Sequence, residues 1–204
     1  MQPEDILQFA DTLASGFSRY SLFQWVCGRQ YDAAKMRLFW KVLIASFADR
    51  AICIADSKEV NSVLVYIRPK TKEPSIVEYL KVGGLTMLWK LGIRSIFRLL
   101  RIEYRVQQVA KRYRGENDGY IQAFATRLDK QGQNYGKPLI KALLHYLDLT
   151  GEGCYLETFK LENVGLYEHF SFQLKGRDAI SSGNLTLYAM SLVRELRKNN
   201  QTLE

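Results

Sequence analysis

The sequence predicts an α/β fold that opens with helices and then mixes strands and helices. Three observations predict it. Apolar residues recur at helical spacing through the opening stretch, two short Ile- and Val-rich runs follow, and beyond residue 120 strand-like and helix-like segments alternate.

The elements can be justified in order. Ile6, Phe9, Leu13 and Phe17, then Met36, Phe39, Trp40, Leu43 and Phe47, repeat every three or four residues and predict two or three helices. AICIAD at 51–56 and SVLVYIRP at 62–69 flank the polar Ser57-Lys58-Glu59 and predict a β-hairpin. Residues 75–114 read as a helical insertion: Ser75-Ile76-Val77-Glu78 has the form of a capping box, Gly83-Gly84 interrupts, and a helical pattern resumes through Tyr113. YIQAFATRL at 120–128 predicts a strand. A glycine-containing loop comes next, then a helix with Leu139, Ile140, Leu143, Leu144 and Leu147 on one side. A strand at 154–159, a short helix over about 163–170 and strands near 172–180 and 185–193 close the pattern, the last two joined by Ser181-Ser182-Gly183-Asn184.

Length and composition bound the possibilities. With 204 residues, 47% of them hydrophobic, the expected organisation is one domain over 1–204 with a sizeable core. The first residues carry acids where a secretory signal would carry bases. No apolar run approaches the roughly 20 residues of a membrane span, so a cytoplasmic location is expected. Cys27, Cys53 and Cys154 are odd in number, form no C-x-x-C pair and have only His145 and His169 to assist them. Reduced thiols and no metal are expected, with Cys53 and Cys154 acting as small core residues in apolar strands.

Net charge is +8, and its location matters more than its size. Between Lys90 and Arg114 eight basic residues face one acid, Glu103, so the segment carries +7 and the rest is nearly balanced.

The loop Gln131-Gly132-Gln133-Asn134-Tyr135-Gly136 reads as the candidate for the chemistry, with an ordinary strand-to-helix turn as the alternative. A strand entering a tight loop before a helix concentrates free backbone N–H groups and the positive end of the helix dipole at one point, which suits phosphate. Gly132 and Gly136 allow close backbone approach and Asn134 tolerates positive φ. Lys137 adds charge and Pro138 fits the first helical turn. The segment fits neither G-x-G-x-x-G nor G-x-x-x-x-G-K-[ST], which excludes Rossmann and Walker readings.

This loop resembles the pyrophosphate loop Q/R-x-x-G-x-G/A of the GNAT superfamily of N-acetyltransferases, matching at Gln131 and Gly136, with Asn134 in place of the middle glycine. Further on, Asn163-Val164-Gly165-Leu166-Tyr167-Glu168-His169-Phe170-Ser171-Phe172 resembles the family's N-x-x-A-x-x-x-Y-x-x-x-G-F region, with Tyr167 early and Ser171 in place of the glycine before Phe172. The likeness spans roughly 115–194, and the opening helices and hairpin suit the family too. It implies a GNAT-like α+β fold: a central mixed, mostly antiparallel twisted sheet flanked by helices, with the helical insertion between the third and fourth strands.

The resemblance further implies transfer of an acetyl group from acetyl-CoA to a primary amine by direct attack, in a cleft between the splayed fourth and fifth strands, here 120–128 and 154–159. Phe124 and Thr126 would align the pantetheine and acetyl carbonyl. Gln131, Gly132, Gln133, Asn134, Tyr135, Gly136 and Lys137 would hold the pyrophosphate, and Asn163 would support cofactor binding. Tyr167 becomes the candidate acid for the departing thiolate, against a purely packing role. Glu157 becomes the candidate base, placed by strand alternation on the face opposite Tyr155, with Glu116 and Asp118 as alternatives acting through water. His169 could titrate near neutrality, although a helix-surface histidine without a role is the simpler reading, and His145 carries no signal.

Two readings of the insertion stay open. It could cover the acceptor site with Trp89, Phe97, Leu99 and Leu100 lining an apolar pocket. Alternatively, its basic amphipathic character suits a membrane surface or nucleic acid, against a solvated face of snorkelling arginines. For the chain as a whole, a non-catalytic CoA-binding role and a homodimer formed through an edge strand stay open as well.

Overall fold

The computed structural model describes residues 1–28, 30–180 and 183–193. Three helices open it, α1 (Pro3–Gly16), α2 (Ser21–Cys27) and α3 (Ala33–Phe47), followed by the hairpin β1 (Ala51–Ala55) and β2 (Ser62–Ile67). The insertion forms α4 (Ile76–Lys81), α5 (Gly84–Leu91) and α6 (Ile93–Tyr113). Then come β3 (Asp118–Thr126), α7 (Lys137–Thr150), β4 (Gly153–Thr158), α8 (Leu161–His169), β5 (Phe172–Ile180) and β6 (Leu185–Leu192). Ser181 and Ser182 of the turn expected between the last strands lie outside the described residues.

The strands form one sheet in the order β1-β2-β3-β4-β6-β5. Every pairing is antiparallel except β3 with β4, which is parallel. In the chain's own order the insertion joins the second strand to the third, one fewer than in the family's count, because no strand precedes residue 51 among the described residues.

Both faces of the sheet are covered, and this explains why β2 is buried along its whole length. Alternation sends Val63 and Val65 into a cluster with Leu13, Val26, Met36 and Trp40 of the opening helices. Leu64 and Tyr66 face the other way, onto Leu139, Ile140, Leu143 and Leu147 of α7. Each such aliphatic side chain stabilises the fold by about 1.5–3 kcal/mol on full burial.

The insertion is anchored at both ends. Ser75 and Glu78 close the expected capping box at the start of α4, and Glu78 also pairs with Arg50. These contacts, the Ser75 backbone N–H first among them, hold the Glu78 carboxyl down at about 2. Farther along, α6 buries Ser95, Ile102 and Val109, and Arg105 reaches Asp178 of β5 at 2.7 Å.

Candidate active site

The sheet opens where β3 and β4 part. Their parallel pairing covers only Asp118 with Gly153, Gly119 with Cys154 and Tyr120 with Tyr155, while both strands run on to Thr126 and Thr158. A bulge at Gln122, left over between the Tyr66–Ile121 and Val65–Ala123 pairs, breaks the ladder near the same place. Tyr20 reaches the β4 side of the gap. Its hydroxyl accepts from the Phe159 N–H at 2.6 Å and lies 2.8 Å from Thr158 Oγ1, and Asn163 Nδ2 donates to that same Oγ1 at 3.0 Å.

One cavity, of about 440 Å³, lies at the end of β3 beside the start of α7. Phe124, Thr126, Gln131, Gly132, Asn134, Tyr135, Gly136, Lys137, Asn163 and Tyr167 all line it. Arg19, Lys130, Lys137 and Lys160 contribute positive charge, and among the described residues no carboxylate lines it. Among the described residues, none of the amides of Gly132, Gln133, Asn134, Tyr135 and Gly136 donates to a backbone carbonyl. Four of these amides, those of Gly132, Asn134, Tyr135 and Gly136, belong to residues that line the cavity beside the four cationic side chains, an arrangement that suits an anion, since each charge-assisted hydrogen bond contributes on the order of 1.5–3 kcal/mol.

The two loop glycines have different reasons. Gly132 takes φ of 77° with open space around it, so its need is conformational. Gly136 has ordinary φ, but a Cβ there would stand 2.9 Å from Phe124 Cζ. Asn134 and Ser171, which replace glycines of the resembled motifs, take φ of 63° and 65° and so keep the left-handed backbone that glycine would supply. Gln131 Nε2 donates to the carbonyls of Gly16 and Thr126, both at 3.1 Å, and thereby ties the loop to α1 and β3. Gln133 departs from expectation: its amide binds the Asp129 carbonyl at 3.1 Å and it does not line the cavity.

A second cavity, of about 150 Å³, meets the first at Phe17, Tyr20, Phe124, Asn163 and Tyr167. Its wall is largely aromatic: Phe17 stacks on Trp40 at 5.1 Å, and Phe23 and Phe39 pack edgewise on or tilted to the same group. Two carboxylates line it, Glu157 from β4 and Glu103 from α6. Both Glu157 oxygens are shielded from solvent and accept no hydrogen bond among the described residues. Burial pushes this carboxyl up to about 7, against the influence of the Tyr120 and Tyr155 phenols. Those phenols are near enough to favour the charged form, yet neither closes a well-formed hydrogen bond onto it.

Tyr167 lines both cavities, with 7% of its surface exposed. Burial raises the pKa of its phenol, so at neutral pH it carries its proton. The expectation that Glu157 faces away from Tyr155 is overturned: residues two apart on a strand share a face, and both belong to the side covered by the opening helices. Glu116 and Asp118 line neither cavity, and Asp118 instead accepts from the Gly115 N–H at 2.8 Å. His169 lines the larger cavity from the exposed side of α8, and His145 lines neither.

Of the four insertion residues expected to line an apolar pocket, only Leu99 does so. Trp89, Phe97 and Leu100 are 77%, 64% and 59% exposed. Ile102, Glu103 and Val106 line the cavity from α6 instead. Tyr20, Thr158, Trp40, Glu103 and the cationic Arg19 and Lys160 complete the site, and no local sequence signal marks them. Cys154 is buried, and burial raises its thiol and also that of Cys53, the latter to about 12, as inert core residues require.

No protein-family model matches the sequence, and no curated protein sequence matches it significantly. Solved structures do resemble it. A histone acetyltransferase HPA2 and related acetyltransferase from Corynebacterium glutamicum aligns over 94% of this chain and 92% of its own, with TM-score 0.61 and 21% identity. The ribosomal-protein-S18-alanine N-acetyltransferase from Escherichia coli aligns over 94% and 89%, with TM-score 0.52 and 10% identity. The C-terminal condensation domain of Ebony, solved with beta-alanyl-dopamine, aligns over 94% and 95%, with TM-score 0.64 and 7% identity. The fold is therefore that of the GNAT acetyltransferases: a mixed, mostly antiparallel open sheet flanked by helices.

Proposed function

We propose that this chain is an acyl-CoA-dependent N-acetyltransferase, a single domain working in the cytoplasm, that transfers acetyl from acetyl-CoA to a primary amine. One observation carries the reading. The loop over 132–136 and the buried Glu157, whose carboxylate accepts no hydrogen bond among the described residues, line two cavities that meet at Tyr167, where a thioester and an amine could be brought together.

The residues divide the work. The free amides of Gly132, Asn134, Tyr135 and Gly136, with Lys137, Lys130 and Arg19, hold the pyrophosphate, while Phe124 and Thr126 lie beside that loop and Phe124 reaches the smaller cavity. Asn163 acts indirectly, by fixing Thr158 at the end of β4. The amine arrives neutral, with a free lone pair, and Glu157 takes the proton that the nitrogen sheds as the amide forms; solvent later carries that proton back to the phenolate of Tyr167. The nitrogen attacks the thioester carbonyl, the C–S bond breaks, and Tyr167 gives its phenolic proton to the sulfur. No metal takes part in this scheme. Positioning supplies much of the rate.

The smaller cavity bounds the acceptor. About 150 Å³ accommodates a ring-sized group, so the part of the amine that enters it is a compact apolar or aromatic body. The test is thermal unfolding with and without acetyl-CoA, followed by CoA release with a panel of amines. Ligand at about 100 times its dissociation constant stabilises by roughly 2.7 kcal/mol. No shift with any acyl-CoA at millimolar concentration would overturn the transferase reading, and a shift without acyl transfer to any amine would leave a CoA-binding protein.

A further inference from the structure

The exposed side of the insertion has no role in the chemistry above, and its composition is unusual for a surface. On α6 the residues Ile93, Phe97, Leu100 and Tyr104 recur every three or four positions and are 67%, 64%, 59% and 60% exposed. The helical repeat places them opposite Ser95, Ile102 and Val109, which face the core. On α5, which packs on α6, Leu85 and Trp89 are 69% and 77% exposed. Isolated exposed apolar side chains are ordinary, whereas an ordered row along a helix marks a binding surface.

The neighbouring charge identifies what covers it. Arg94, Arg98, Arg101 and Arg105 run along α6 beside the apolar row at the same helical spacing. Arg98 stacks over Trp25 and Arg105 pairs with Asp178, which ties this flank to the body of the protein. Lys90, Arg94 and Arg101 form no salt bridge among the described residues and are exposed.

We propose that α5 and α6 form a docking surface for an anionic lipid bilayer, with the apolar row set among the acyl chains and the free cations against the headgroups. A second copy of the chain fits less well, because a two-fold interface would set this basic segment against itself. Nucleic acid would use the arginines but leave the apolar row without a partner. Among the described residues no helix is long and apolar enough to cross a membrane, so the surface lies on the bilayer rather than spanning it. The opposite side of α6 lines the smaller cavity through Leu99, Glu103 and Val106, so docking would bring the acceptor site close to the lipid.

Co-sedimentation of the full chain with vesicles tests this, comparing pure phosphatidylcholine with an equal mixture of phosphatidylcholine and phosphatidylglycerol. Binding is expected to the anionic vesicles only and to weaken steeply with salt. Replacing both Arg94→Gln and Arg101→Gln should weaken it roughly 20- to 30-fold, at about fivefold per basic residue. The pair Trp89→Ser and Phe97→Ser should weaken it by at least as much. These positions are exposed, so circular dichroism and melting temperature should stay unchanged. Absence of binding to anionic vesicles at low ionic strength overturns the proposal. So does binding indifferent to the Trp89 and Phe97 substitutions, or self-association on sedimentation velocity that these substitutions abolish while vesicles are ignored. The outcome does not depend on whether the chain acetylates anything.

Discussion

The Tyr20 hydroxyl accepts a hydrogen bond from the Phe159 N–H at 2.6 Å, across the opening where β3 no longer pairs with β4. A strand that loses its neighbour leaves its amides without partners, and here one side chain from the connection between α1 and α2 supplies the missing acceptor. Tyr20→Phe keeps the ring and removes only the oxygen. We expect a loss of about 1–3 kcal/mol, the cost of leaving that amide unmatched, read as a lower urea midpoint with unchanged m-value. Acetyl transfer should fall as well, since the same hydroxyl lies against Thr158, which orders Asn163.

The Glu157 carboxyl ionises near 7 in the folded protein against an ordinary value of 4.5, because burial disfavours its charge. Between these values the unfolded chain has released the proton and the folded chain still holds it. Stability therefore falls as pH rises through this window, by up to roughly 3 kcal/mol. Glu157→Gln has no such proton, so relative to wild type it should gain stability from pH 5 to pH 8 in denaturation curves. The same variant should lose acetyl transfer, and wild-type kcat/KM should rise with pH through about 7, the limb that Glu157→Gln lacks. Equal pH dependence of stability in the two proteins would remove Glu157 from this role.

The loop glycines should respond differently to a methyl group. Gly136→Val puts carbon against the Phe124 ring, 2.9 Å from Cζ at the Cβ alone, in the lining of the larger cavity. We expect overpacking of about 1–3 kcal/mol and loss of the acetyl-CoA thermal shift. Gly132→Ala meets no neighbour but strains a φ of 77°, so it should cost about 1 kcal/mol while retaining the shift.

How much of this was legible in the sequence depends on the distance over which each feature is decided. Helices, strands and the Ser75–Glu78 capping box follow from local periodicity and local hydrogen bonds, and so does the loop from Gln131 to Lys137, where a strand meets a helix. Tyr20 could not be found that way, because its partner Thr158 lies 138 positions along the chain. The same holds for Trp40 and Glu103. On α6 the sequence shows two apolar rows, and only packing chooses Ile102 and Val109 over Ile93 and Phe97 for the interior. Glu157 stands out in the sequence as a base candidate, but its face follows from the two-residue period of strands, which sets it beside Tyr155 and not opposite.

Tyr167 offers the sharpest separation between chemistry and packing. Its ring meets Phe172 edge to face at 5.7 Å, a contact that Tyr167→Phe retains, so the variant should melt close to wild type. If the phenol gives its proton to the departing sulfur, kcat should fall about 10²- to 10⁴-fold while the acetyl-CoA dissociation constant stays within a few-fold. A thiolate that is already a good leaving group needs that proton less. Acetyl donors built on thiols more acidic than CoA should therefore restore much of the rate of Tyr167→Phe and change the wild-type rate little. A packing role predicts the reverse: a lowered melting temperature and a rate loss that does not depend on the leaving thiol.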